Sequence, residues 1–358
     1  MRKAGAKKRA SARIRSKPGY RRIATEEAWA PPEMLELYMK LLAKRGANEP
    51  GFRSLMGFYL GSSSERARQV AERLQWLDER RVRDMDESGI DMQVLALTAP
   101  GVQIFDRATA VSIARLSNDR LAEAIRTWPD RFTGLAAIAP QDPSAAAQEL
   151  ERAVLKLGLK GAVINSHTHG EYLDDSKYWD ILEAAEALNV PLYLHPRDLP
   201  RTMLQPFVER GLDGAIYGFG CETGLHMLRV IVSGAFDRFP KLKFIIGHGG
   251  EALPYWMYRI DYMHAATVRS KRYASVKPLK KRPSDYLKEN IYITTSGMAW
   301  APAIQFAQSV LGVDRVMYAM DYPYQYTPSE VAAMDAMPIS AKAKKMFFQS
   351  NAEKVFAL

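Results

Sequence analysis

The stretch Asn-Ser-His-Thr-His-Gly-Glu-Tyr, residues 165–172, places His167 and His169 two residues apart. On a strand such a pair points the same way and can share one divalent ion. In a loop it is only two solvated rings. Other chemistry-bearing residues are spread along the chain. Glu26 and Glu27 stand side by side in Ile-Ala-Thr-Glu-Glu-Ala, His195 ends a short apolar run, and Asp321 ends another. Two carboxylates with an imidazole make a mixed N/O shell suited to Mn2+, Fe2+ or Zn2+, with positions left open for water or substrate. The single cysteine, Cys221, excludes a thiolate-rich zinc site and any internal disulfide, and suits a reducing cytoplasm. His248 belongs to Gly-His-Gly-Gly-Glu. There Glu251 can accept from one ring nitrogen and fix the tautomer, the arrangement of a histidine that moves protons or holds a developing charge.

Whether these residues meet depends on the elements that carry them. Eight short apolar, β-rich runs occur, at 22–28, 92–98, 132–140, 159–167, 190–196, 242–250, 291–297 and 315–323. Most are continuously apolar, as parallel strands buried on both faces must be. Helical patterns alternate with them: one spans 65–89 and ends at Gly89, one stops before Pro129, and one opens at Asp142-Pro143 and closes on Gly158. Eightfold strand-helix alternation predicts a (β/α)8 barrel, with the long segment between the first two strands as an insertion near its mouth. A doubly wound open sheet is the alternative, but no Gly-rich phosphate loop follows strand 1.

In such barrels chemistry gathers at the C-terminal strand ends. Those ends carry Glu26 and Glu27, His167, His195, His248 followed by Glu251, and Asp321. Ligands from strands 1, 5 and 8 would then share one rim. His167 ends a strand and could touch substrate; His169 lies beyond it. The pair is therefore not expected to be the metal site.

The composition, 47% hydrophobic and 25% charged, is that of a soluble globular chain, and no run of 18 apolar residues suggests a membrane span. The net charge of +10 belongs to the beginning: residues 1–22 hold ten Lys/Arg and no acid, and the remaining 336 residues are neutral. We read 1–21 as a disordered basic tail and 22–358 as one catalytic domain. A neutral body speaks against nucleic-acid binding, although an Arg/Lys arm could recruit it.

The stretches IATEEAWA, LYLHP, GFGCETGLHMLR, GHGGEALPYW and MYAMDYPYQY, with SERA, APQDP, RSKRYASVKPLKK and FFQSNAEKVFAL, resemble the metal-dependent decarboxylase branch of the amidohydrolase superfamily over about residues 20–358. Within that branch the likeness is to the enzymes acting on carboxylated vanillate and related hydroxybenzoates. The resemblance implies Glu26, His195 and Asp321 as metal ligands, with Mn2+ as the ion and Zn2+ as the alternative. It implies His248 with Glu251 as an active-site dyad, and Asp321, or else His248, as the donor of a proton to the ring. It further implies Arg259 and Arg66 as partners for a substrate carboxylate, and Tyr59, Thr98, Phe219 and Tyr324 as walls. The expected substrate is a small ortho-hydroxy aromatic acid such as 5-carboxyvanillate, handled by a cytoplasmic homodimer or homotetramer in lignin-derived aromatic catabolism. A hydrolase of the same fold, opening a lactone or amide, usually keeps His-x-His on strand 1, where this chain has Glu26-Glu27-Ala28.

Overall fold

The computed structural model describes residues 19–44 and 49–358. Among the described residues nine parallel strands are present: β1 Ile23–Trp29, β2 Met92–Leu97, β3 Phe132–Gly134, β4 Ala136–Ala137, β5 Ala162–Asn165, β6 Pro191–His195, β7 Lys243–Ile246, β8 Ile291–Thr294 and β9 Val316–Met317. They pair in sequence order, β1-β2-β3 and β4 through β9. β3 and β4 are two halves of one barrel strand. The Leu135 amide donates to Leu95 on β2, and the next amide, Ala136, donates to Gly161 before β5. At the other seam the Thr25 amide donates to Tyr318 (3.0 Å) and the Ala28 amide to Tyr322 (2.6 Å), tying β1 to the chain after β9. The eightfold barrel reading holds.

Every strand after the first stops short of its expected C-terminal boundary, and at three of them the backbone bends. Ser166, His248 and Asp321 all take positive φ (40°, 51° and 74°), a region that breaks a ladder. Expected strand ends thus become tight turns presenting side chains over the barrel mouth.

Among its described residues the insertion holds four helices: α1 Pro32–Ala43, α2 Pro50–Gly61, α3 Glu65–Arg73 and α4 Glu79–Ser88. The single helix expected over 65–89 is two. Asp78 ends the continuity by taking an extended conformation and accepting the Arg80 amide as an N-cap. Gly89 is the left-handed C-cap that the sequence suggests, φ 75°. Asp142 likewise caps helix Pro143–Leu155 by accepting the Ala145 amide.

Of the basic segment 1–21, residues 1–18 lie outside the described residues. Its end is anchored: Tyr20 stacks on Phe348, and the Arg21 amide donates to Gln349. Among the described residues no helix is long and apolar enough to cross a membrane.

Candidate active site

A cavity of about 400 Å³ opens at the C-terminal side of the barrel, floored by His195, His248 and Asp321. Its roof comes from α2 (Ser54, Leu55, Phe58, Tyr59) and from the 211–219 segment (Asp213, Ile216, Phe219). Ser54 donates to Asp213 at 2.7 Å and joins the two sides.

Glu26 is 3% exposed, at the bottom. The β1–β2 register slips between Ala24 and Glu27, the mark of a bulge, which re-aims side chains beside a site. Oε2 of Glu26 accepts from the Thr294 hydroxyl on β8 at 2.9 Å. Thr294 spends its one hydrogen there, so the Tyr193 hydroxyl, 2.8 Å away, donates to Thr294. Gly247 at the end of β7 gives the carboxylate room: a Cβ there would lie 2.5 Å from Oε2. Oε1 is buried and accepts no formed hydrogen bond. Its neighbours are His195 Nε2 at 3.2 Å and His248 Nε2 at 3.6 Å.

The tautomers of those rings follow from their other nitrogens. His195 Nδ1 lies 2.6 Å from the Pro196 carbonyl, and His248 Nδ1 lies 2.8 Å from Glu251 Oε1. Both partners only accept, so both Nδ1 atoms carry the hydrogen. A neutral imidazole therefore turns a bare Nε2 toward Glu26 on two sides. Asp321 completes the group: it, Glu26 and His248 each offer a ligand atom within 4.8 Å of the other two. With both rings neutral, acceptors converge with no hydrogen among them. Positive charge must stand among them, as a proton on a ring or as a cation, and a divalent cation fits that donor set.

Electrostatics agree. Burial opposes ionisation of Glu26, yet His248, His195 and Thr294 hold its carboxyl below the ordinary range. Burial also disfavours a charged His248, but Glu251 and Glu26 outweigh it and raise the ring to about 10. Burial pushes Asp321 up to about 7. A bound cation would reverse the last two trends, favouring the carboxylate and the neutral ring.

The structure thus brings together Glu26, His195, His248, Glu251 and Asp321. Of these, Glu26, His248 and Asp321 offer ligand atoms that all lie within 4.8 Å of one another; His195, expected as a ligand in place of His248, meets Glu26 at 3.2 Å but is outside that set. Tyr59, Phe219, Tyr324 and Arg66 line the cavity. Thr98 lines a small void beneath it with Glu26, His195 and Asp321, and meets the Tyr324 hydroxyl at 2.5 Å. Arg66 Nη2 donates to the Tyr324 carbonyl at 3.0 Å, at the rim.

Arg259 is elsewhere. Helix Leu253–Ser270 buries Leu253, Pro254 and Met257, and Arg259, two residues on, falls on its exposed face, away from this chain's cavity. His167 does not reach the cavity either. It is buried, its Nε2 donates to the Asp198 carbonyl at 2.9 Å, and its Nδ1 accepts the Gly170 amide at 3.1 Å. His169 lies outside, 3.5 Å from Glu49. Sequence reasoning missed Thr294 and Gly247. The inward alternation of β8 could have pointed to the former; nothing local marks the latter.

A family model described as Amidohydrolase matches residues 29–358. A γ-resorcylate decarboxylase from Polaromonas sp. (strain JS666 / ATCC BAA-500) is 40% identical over 298 residues, 81% of this chain and 90% of that protein. A crystal structure of 5-carboxyvanillate decarboxylase from Novosphingobium aromaticivorans DSM 12444 contains manganese and 4-hydroxy-3-methoxy-5-nitrobenzoic acid. It is 55% identical, with a TM-score of 0.93 over 95% of this chain and 97% of that one. A 5-carboxyvanillate decarboxylase from Sphingomonas paucimobilis is 38% identical, with a TM-score of 0.89 over 95% and 100% of the two chains. Matched from the end of β1 to its last residue, the chain belongs to the amidohydrolase family, on its decarboxylase branch.

Proposed function

We propose that this protein is a manganese-dependent carboxy-lyase that converts 5-carboxyvanillate to vanillate and CO2. The observation that carries the reading is the convergence of ligand atoms from Glu26, His195, His248 and Asp321 beneath an aromatic slot. The nitro compound bound by the Novosphingobium enzyme is 5-carboxyvanillate with the departing carboxylate replaced by an isosteric nitro group.

Glu26, His195 and Asp321 would hold the ion, with His248 beside them. When bound, it neutralises the phenolate and the adjacent carboxylate and fixes the ring's orientation. The chain supplies the rest. Tyr59, Phe219 and Tyr324 form a slot in which a flat ring can lie, and Leu55 and Ile216 keep water from it. Asp321 delivers a proton to the ring carbon bearing the carboxylate, with His248 as the alternative donor. The carbon–carbon bond then breaks, its electron pair restores the aromatic ring, and CO2 leaves. The donor regains its proton from solvent. Glu251 holds His248 in the tautomer that presents Nε2 to the substrate side. Arg66 at the rim would pair with the second carboxylate, which stays on the product.

The oligomeric reading, a homodimer or homotetramer, is supported by the outer face of helix Leu253–Ser270, where Tyr255 (75% exposed), Tyr258 (83%) and Tyr262 (60%) form an aromatic band. Such a band marks an interaction surface. Arg259 lies within it, so a second copy docked there would cover the band and could receive that guanidinium at its own cavity mouth.

The test uses metal-stripped protein with 5-carboxyvanillate, following vanillate by chromatography. Addition of Mn2+ should restore turnover, and Asp321→Asn should abolish it. Absence of product from Mn2+-loaded wild-type protein would overturn the reading.

A further inference from the structure

Of the adjacent acids on β1, Glu26 offers a ligand atom to the cluster with His248 and Asp321; Glu27, fully buried, borders the small void beneath the cavity but offers none. Its Oε1 accepts the Met320 amide and its Oε2 accepts the Tyr322 amide, each at 2.9 Å. Those two peptides flank Asp321, whose φ of 74° is left-handed, unusual for a residue with a side chain and sustained only where the surroundings hold it. The Ala28 amide, next along β1, donates to the Tyr322 carbonyl. Behind the turn the buried Arg81 lies over the Tyr322 ring, 4.4 Å from its centre, and donates to the Ala28 carbonyl at 3.0 Å. Both carboxylate oxygens are thus spent on one turn, on the two sides of one residue.

We infer that Glu27 is a positioning residue: its carboxylate clamps the peptide groups on both sides of Asp321 and so sets where that side chain meets the metal and the ring. The inference rests on the manganese reading above. A ligand-bearing turn held at two points is fixed in both rotation and translation. Held at one point it can swing, and metal–ligand distances tolerate only about 0.2 Å. Groups that orient ligands in this way typically change metal affinity 10–100-fold when altered.

The test uses Glu27→Gln and Glu27→Asp in the full chain. The glutamine keeps the length but turns an NH2 group toward one of the two amides. The aspartate keeps the charge near Arg81 but is one methylene too short to reach both. Folding is checked by circular dichroism and thermal unfolding, and Mn2+ affinity is read from the electron paramagnetic resonance signal of free Mn2+. Expected are folded variants that bind Mn2+ at least tenfold more weakly than wild type, with kcat lowered more than KM is raised. A folded variant that binds Mn2+ within twofold of wild type overturns the inference. So does failure of both variants to fold, which would assign Glu27 to the fold alone. Wild-type protein that binds no Mn2+ would instead sink the function on which the inference rests.

Discussion

Gly247→Ala separates the metal site from the fold. The glycine ends β7 without a positive φ, so alanine fits its backbone. The added methyl would sit 2.5 Å from Glu26 Oε2 and 3.2 Å from Oε1. A carbon and an oxygen normally approach no closer than about 3.3 Å, so one partner must yield by about 0.8 Å. The β7 backbone is buried and laddered to β6 and β8, whereas the carboxylate is held by one hydroxyl, so the carboxylate gives way. A displacement of about 0.8 Å is several times the 0.2 Å a metal–oxygen bond tolerates. The fold should lose no more than about 1–3 kcal/mol, the usual cost of one extra buried methyl. Mn2+ affinity should fall at least tenfold, or about 1.4 kcal/mol. Titrating free Mn2+ by electron paramagnetic resonance, with urea unfolding alongside, reads the two quantities independently. A Gly247→Ala protein with wild-type Mn2+ affinity would falsify the placement of Glu26 as a ligand held in a glycine-lined slot.

Arg66→Ala should lower kcat/KM for 5-carboxyvanillate about 10–100-fold, the worth of a charged hydrogen bond, acting chiefly through KM. Hydroxybenzoates with a single carboxylate should be nearly unaffected, and an equal loss for both classes would remove Arg66 from that role. Light scattering should give a particle of two or four chains that Tyr258→Glu, at the most exposed ring of the band, breaks apart; a monomeric wild type would refute that docking surface. Burial holds His167 down at about 2 and His226 at about 3, so these two rings weigh against the folded state as pH drops below about 6.5. The unfolded chain takes up those protons near 6.5 and the folded chain does not, so each ring costs up to about 1.4 kcal/mol per pH unit between the two values. With urea midpoints at pH 7 and 5.5, His226→Asn should gain stability relative to wild type on acidification; an unchanged difference between the two proteins would refute it.

The barrel was legible because it repeats. Eight apolar runs separated by capped helices leave few other architectures, and the cap at Gly89 and the start at Asp142 fall where their residue types require. The set of rim residues was legible for the same reason, since strand ends converge once the barrel is granted. Rank within the set was not. His167 and His248 both follow a strand and both sit in turns. What parts them is that His167 spends both nitrogens on backbone groups, Asp198 and Gly170, whereas His248 spends one on Glu251 and keeps the other for the cavity. That is settled by loops folding back from distant parts of the chain. Arg259 shows the same limit. Its place on the helix is a matter of local periodicity, but its use depends on a surface another chain would have to cover.

The Glu26-Glu27 pair carries the point further. Successive side chains on a strand face opposite sides, so two adjacent acids cannot both ligate one ion from a regular strand. With one acid in the cluster, the second must find buried partners or cost several kcal/mol as an unpaired charge. The nearest structure is the turn after β9, which closes the barrel against β1 and carries Asp321. Its two free amides are what the second acid finds. The seam of the barrel and the proposed seat of the metal are therefore one construction. A change at Glu27 should register first in the geometry of Asp321, ahead of any measurable loosening of the sheet.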